Sequence, residues 1–281
     1  MSMFKSLLLP TDGSPAAEVA VRYGLDLAKA LGGRVTLLTA VDLSPYVLDG
    51  GEGYLPELLE ELTAEARDTL ERAKALAAQA GVEAEAKLVQ DRAVGSICRE
   101  AAGHDLIVLG SHGRGGLVGL ILGSVAWGVV RQGKVPLLLV RPDHQWTGAP
   151  RSFLLPVDGS PPSVRAVDRG LELAKALGAE VTFLHVLPPA HTRARTRWQE
   201  AVRETGRKAL EAAMAAATAA GVPAHTRQED GQPADVILQR SGDYDLLVMG
   251  THGRGVSELW LGSVTQHVVV QASHPVLVVR P

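Results

Sequence analysis

Two sets of glycines recur in this chain, each accompanied by a histidine and a serine, at spacings suited to holding a phosphate. The first is Gly110-x2-Gly113-x9-Gly123-Ser124 and the second is Gly250-x2-Gly253-x8-Gly262-Ser263. Glycine has no Cβ, so neighbouring backbone N–H groups can approach a ligand closely, and Gly110 and Gly113, placed directly after an apolar run, are expected to take positive φ. Gly123-Ser124 opens a helical segment, where unpaired N–H groups, the helix dipole and a serine hydroxyl all favour an anion. By itself, a glycine-rich strand-to-helix turn reads either as a nucleotide site or as a tight connection. His112 and His252 read first as loop histidines hydrogen-bonded to backbone, and otherwise suit proton transfer or a phosphate contact. Arg114 and Arg254 stand beside them, and a guanidinium matches the geometry of phosphate oxygens.

The elements that must position these residues are themselves repeated. Asp12-Gly-Ser-Pro15 recurs as Asp158-Gly-Ser-Pro161, Leu27-Ala-Lys-Ala-Leu-Gly32 as Leu173-Ala-Lys-Ala-Leu-Gly178, and the run ending at Arg141-Pro142 as that ending at Arg280-Pro281. The first copy carries an insertion between Val41 and Gly81, expected in the loop 42–56. Domains over 1–142 and 151–281 follow, joined by a polar linker over 143–150. In the first copy the pattern predicts strands over 6–10, 35–41, 84–89, 106–109 and 136–140. Helices are predicted over 16–31, 57–80, 94–102 and 123–132, with stops at Gly32, Gly81 and Gly133. Continuous Leu, Ile and Val strands between helices imply a parallel sheet buried on both faces. The expected fold class is α/β, two tandem open five-stranded parallel α/β sandwiches of Rossmann-like form. Ligands bind such sheets beyond the carboxyl ends of the strands, where the strand order reverses.

Bulk composition narrows the function classes. The 281 residues, 46% hydrophobic, suffice for two domains with their own cores. With 28 basic and 31 acidic residues the formal charge is -3, which gives no footprint for nucleic acid. Cys98 is the single cysteine, so no intrachain disulfide is possible. No signal-like leader is evident and the glycine-interrupted stretch 115–130 is too short to span a membrane, so a cytoplasmic protein is expected. The segment Gly128-Val-Val-Arg-Gln-Gly133-Lys134 imitates a P-loop, but Val135 replaces its hydroxyl residue and the segment ends a helix. The histidines lack metal-ligand spacing. Arg193, Arg195, Arg197 and Arg203, and the acidic set Asp49, Glu52, Glu57, Glu60 and Glu61, read as solvated faces.

The glycine spacing, the strand ending Asp105-Leu-Ile-Val-Leu109 and the Pro10-Thr11-Asp12-Gly-Ser-Pro15 turn together resemble the ATP-binding branch of the universal stress protein family, over essentially the whole chain. The resemblance implies an adenine nucleotide α-hydrolase-like fold and ATP accompanied by Mg²⁺ or Mn²⁺. By that resemblance adenine meets Asp12 and the Ala40-Val41 backbone, ribose meets Gly110 and Gly123, and phosphates meet Gly113, Ser124 and Val125. Asp158, Val186, Gly250, Gly253, Gly262, Ser263, Val264 and Thr265 match in the second copy. Pro10, Thr11, Leu109, His112 and Arg114, with Pro156, Val157, Met249, His252 and Arg254, complete the candidate linings. Two departures stand out: the second loop is one residue shorter, and Ala126 replaces Thr265, removing a hydroxyl near the phosphates. The family pairs domains by their last strands, which implies an intrachain pseudo-dimer of Leu137-Leu-Leu-Val140 against Val276-Leu-Val-Val279, with further homodimers open.

The expected function is an ATP-binding stress-response or signalling module with two nucleotide sites, little or no turnover and an unknown protein partner. An ATPase or nucleotidyl-transfer enzyme is the alternative, but beyond the two histidines and the arginines no base has a committed place. A scaffold with a vestigial site is the third reading.

Overall fold

Leu7, Leu8 and Leu9 have no solvent exposure, and neither do Leu106 and Ile107, so the central strands of the first repeat are buried along both faces. That burial is what continuous apolar runs require. A computed structural model describes residues 4–43, 55–113, 122–144, 148–189, 196–253 and 261–280. The chain divides into two compact units, Phe4–Gly148 and Ala149–Pro281.

In the first unit the described elements run β1 (Ser6–Pro10), α1 (Pro15–Leu31), β2 (Arg34–Ala40), α2 (Leu55–Ala80), β3 (Ala84–Val89), α3 (Ala93–Glu100), β4 (Leu106–Gly110), α4 (Ser124–Gln132) and β5 (Leu137–Val140). The strand order is β3-β2-β1-β4-β5 with every pair parallel. The second unit repeats it with β6 (Ser152–Pro156), α5 (Pro161–Leu177), β7 (Glu180–Leu187), α6 (Thr196–Ala220), β8 (Ala224–Asp230), α7 (Pro233–Ser241), β9 (Leu246–Gly250), α8 (Ser263–Gln271) and β10 (Val276–Val279). Its order is β8-β7-β6-β9-β10, again parallel throughout. Each unit is therefore the expected open five-stranded parallel α/β sandwich.

Local chemistry sets the element boundaries. Ser14 caps α1 by accepting the Ala17 N–H at 3.2 Å, with proline at the first helical position, and Gly32 ends the helix in the left-handed region at φ 60°. Ser160 and Gly178 do the same for α5. The crossing from β1 to β4 is stapled by Asp105, whose Oδ2 accepts the N–H groups of Lys5 at 2.8 Å and Ser6 at 2.9 Å. Asp245 repeats this with Arg151 and Ser152. The outer strand β8 is polar and exposed, consistent with a guarded edge.

Several predicted boundaries shift. The helix expected over 94–102 ends at Glu100 and tightens into a 3₁₀ turn over Ala101–Gly103, whose end His104 N–H bonds to the Ala101 carbonyl at 2.9 Å. Gly123 is the N-cap of α4 and not its first residue. Gly133 stops that helix in an extended conformation at φ -61°, so no left-handed residue is needed, and Ala272 closes α8 in the same way. Among the described residues no helix is long and apolar enough to cross a membrane.

Candidate functional site

In each unit the strand order reverses between the first and fourth strands, and the carboxyl ends of those strands open onto a cavity. The first holds about 550 Å³ and the second about 370 Å³, both within the range of small-molecule sites. In the first unit the cavity gathers Pro10, Thr11 and Asp12 from the turn after β1, Ala40 from the end of β2, and Leu109, Gly110, His112 and Gly113 from β4 and its loop. Gly123, Ser124 and Val125 close it from the start of α4. Val41 is buried one residue beyond β2 and does not reach the wall. Arg114 lies outside the described residues.

The second cavity gathers Pro156, Val157, Asp158, Val186, Met249, Gly250, His252, Gly253, Gly262, Ser263, Val264 and Thr265. Arg254 lies outside the described residues, as do Arg193, Arg195, Asp49, Glu52 and most of the loop 42–56.

The helix starts differ in a way that bears on ligand chemistry. The Ser14 and Ser160 side chains cap α1 and α5, whereas α4 and α8 begin at Gly123 and Gly262 with no side-chain cap. Their first-turn N–H groups therefore lack the usual internal acceptor, and the residues carrying them line the cavities. A helix start that faces a cavity without a side-chain cap, and with glycine leaving its N–H groups accessible, is suited to an anion. The loop leading to it is pinned by the N–H of Gly123, which donates to the Ser111 carbonyl at 2.8 Å, and Gly262 donates to Thr251 in the same geometry at 2.8 Å.

The carboxylates are oriented by their own turns. Asp12 Oδ1 accepts the Ser14 N–H at 3.0 Å and Asp158 Oδ1 accepts the Ser160 N–H at 2.9 Å. Both turns need a left-handed residue, supplied by Gly13 at φ 76° and Gly159 at φ 74°. The other oxygen of each carboxylate lies over the loop glycine: a Cβ on Gly113 would stand 2.7 Å from Asp12 Oδ2, and one on Gly253 2.7 Å from Asp158 Oδ2.

The expectation of positive φ at Gly110 and Gly113 is overturned, since neither is among the positive-φ glycines. Close approach is the reason for glycine instead. A Cβ on Gly110 would lie 3.0 Å from the Ala16 carbonyl oxygen, and one on Gly250 2.6 Å from that of Pro162. These glycines let α1 and α5 seat their first turns against the strand ends.

His112 and His252 are buried, and each places Nδ1 beside the preceding hydroxyl, Ser111 Oγ at 2.9 Å or Thr251 Oγ1 at 3.0 Å. Among the described residues each ring thus pairs with a side-chain hydroxyl and not with backbone. His112 Nε2 is buried with no hydrogen-bond partner among the described residues. Thr265 lines the second cavity. Its hydroxyl donates to the Gly250 carbonyl at 2.9 Å, so it ties α8 to β9 and is not a free group for phosphate.

Sequence reasoning missed the apolar walls. Ala17, Leu38, Ala93, Ile97, Leu122 and Ala126 complete the first cavity. Ser163, Leu184, His185, Pro188, Val202, Thr205, Pro233 and Ile237 complete the second. The spacing of Ala93 and Ile97, and of Pro233 and Ile237, four apart on short helices beside the switch point, was an available signal.

Comparison with known proteins follows this geometry. The model of the universal stress protein family matches residues 3–141 and again 150–280. A universal stress protein of Mycolicibacterium smegmatis is 29% identical over 291 aligned positions, covering 98% of this chain and 97% of that protein. One from Methanocaldococcus jannaschii is 31% identical over 142 positions, 50% of this chain and 84% of its own. The crystal structure of a universal stress protein from Archaeoglobus fulgidus shares the fold with a TM-score of 0.73 at 24% identity, covering 99% of this chain and 98% of that one. With two matches that together span nearly all of its length, the chain belongs to the universal stress protein family.

Proposed function

We propose that each cavity binds an adenine nucleotide, with ATP as the ligand, and that the chain is a nucleotide-dependent stress-response or signalling module with little or no turnover. The observation that carries this reading is the pair of uncapped helix starts, at Gly123 and Gly262, facing cavities of nucleotide size. The phosphates belong at these N–H groups and at Gly113 and Gly253. The base belongs at the opposite wall, near Ala40 and Val186, against the apolar side chains of Ile97 and Ile237.

A divalent cation fits this chemistry as a companion of the phosphates. Among the described residues no group of three or more His, Cys, Asp or Glu side chains converges, so Asp12 and Asp158 are the carboxylates near enough to assist. Magnesium sites of this type rely on one or two carboxylates and on substrate phosphates. The cation would neutralise phosphate charge, while the helix starts orient the anion and the apolar walls exclude water.

The engagement of the candidate bases supports the reading of low turnover. Asp12 and Asp158 accept from the N–H groups of their own turns, and His112 and His252 lie beside neighbouring hydroxyls. The test is to denature freshly purified protein and count the nucleotide it releases per chain. Adenine nucleotide near two per chain, mostly ATP, is expected. Finding none, even after incubation with ATP and Mg²⁺, refutes the proposal.

A further inference from the structure

Among the differences between the two cavities is a buried pair of positions, Thr39 and His185. Thr39 and His185 each follow the leucine whose carbonyl accepts the turn N–H, Leu38 to Thr11 at 2.8 Å and Leu184 to Val157 at 2.8 Å. Both side chains then make the same bond: the Thr39 hydroxyl donates to the Thr11 carbonyl at 2.9 Å, and His185 Nδ1–H donates to the Val157 carbonyl at 2.7 Å. Thr39 ends there and does not line the first cavity, whereas His185 lines the second and its ring runs on towards α6.

The ring is accommodated by a glycine. A Cβ on Gly206 of α6 would lie 2.1 Å from His185 Cδ2 and 2.2 Å from Nε2. At the same distance from its helix-ending glycine, Gly81 in place of Gly221, α2 carries Ala66, which is buried. His185 with Gly206 and Thr39 with Ala66 are therefore two solutions to one packing problem. The first brings α6 into the site: Val202 and Thr205 line the second cavity, while no described residue of α2 lines the first. The ring also leaves Nε2 buried without a hydrogen-bond partner among the described residues. That cost is absent with threonine.

We infer that His185, seated on Gly206, makes the second cavity the weaker of two unequal nucleotide sites, so that one chain fills in two steps. This rests on the nucleotide reading above. The imidazole and the α6 side chains occupy the β7 side of the cavity, where the base is placed, and the cavity is about 370 Å³ against about 550 Å³. At the phosphate end both sites have paired glycines and an uncapped helix start, the second with a loop one residue shorter and Thr265 in place of Ala126, so the exchange at position 185 isolates the base end.

The experiment is calorimetric titration of the full chain with ATP and Mg²⁺, comparing the unaltered protein with His185→Thr/Gly206→Ala and with the reciprocal Thr39→His/Ala66→Gly. Threonine at 185 keeps the bond to Val157, so the first double variant retains its turn. Two binding steps separated by about tenfold or more are expected. The first exchange should tighten the weaker step about tenfold, and the second should weaken the stronger one. Two equal sites, or a weaker step unmoved by the exchange, overturns the inference and leaves nucleotide binding intact. Binding at neither site overturns the nucleotide reading as well. As a check independent of ligand, Gly206→Ala alone should lower the melting temperature, and adding His185→Thr should recover it. A single variant as stable as the parent would refute the packing premise.

Discussion

Replacing Gly250 by alanine tests whether close backbone approach, and not ligand contact, fixes glycine at the strand ends. The new Cβ would stand 2.6 Å from the Pro162 carbonyl oxygen, 2.8 Å from its carbonyl carbon and 3.0 Å from its Cβ. Two of these three are rigid backbone atoms in the first turn of α5, so relief requires moving the helix start or the strand end. Overpacking of a buried site typically costs about 1–3 kcal/mol. The same displacement shifts the wall that carries Asp158 and Gly253, so nucleotide affinity at the second site should fall by about 5- to 150-fold, the same energy expressed as an equilibrium constant. Gly110→Ala is the internal control. Its Cβ would meet the Ala16 carbonyl oxygen at 3.0 Å, a contact relieved by a few tenths of an ångström, so its effect should be smaller. Thermal melts of both variants without nucleotide, followed by ATP titration, separate the two effects. If Gly250→Ala melts with the parent, or if Gly110→Ala is the more damaging, the close-approach argument fails.

Gly123→Asp supplies α4 with the side-chain cap that it lacks; it should weaken nucleotide binding at the first site at least tenfold, and unchanged affinity would refute the anion role of that helix start. Thr265→Ala removes the bond to the Gly250 carbonyl and should cost about 1 kcal/mol of stability by chemical denaturation while sparing ATP binding, since Ala126 stands at this place in the first unit. Hydrogen bonding from Arg207 pulls the Glu204 carboxyl down to about 2. Because the folded value is depressed, any stability from this exposed pair is present above the unfolded value and is lost as the pH falls towards 2. Carboxyl-detected NMR titration should place the midpoint near 2 and return it towards 4.5 in Arg207→Ala.

How much of this was legible in the sequence depended on whether local or tertiary physics decided each feature. Ser14, Pro15 and Gly32 announce a helix start and stop by their own chemistry, and the structure places those ends within a residue of expectation. The apolar strand runs likewise marked a parallel sheet, and the repeated Asp12 and Asp158 turns marked the strand ends beside its switch point, while the strand order itself is set by tertiary packing. Gly110 shows the limit. The residue type was informative, but its cause is a carbonyl on α1 that only the folded sheet brings near. Thr265 shows a related limit: its place on the cavity was legible, but the bond of its hydroxyl to a strand carbonyl was not. His185 and Gly206 went unread because their complementarity joins a strand to a helix across a loop, and no periodicity links them.

The bond from Gly123 to Ser111, and its twin from Gly262 to Thr251, closes the base of each glycine loop at 2.8 Å although the loops differ in length by one residue. Length is thus uncoupled from the geometry below the clasp: adding or deleting a residue changes the closure entropy by only a small fraction of 1 kcal/mol. Sequence and length between these clasps can therefore change without retuning the helix starts that they hold.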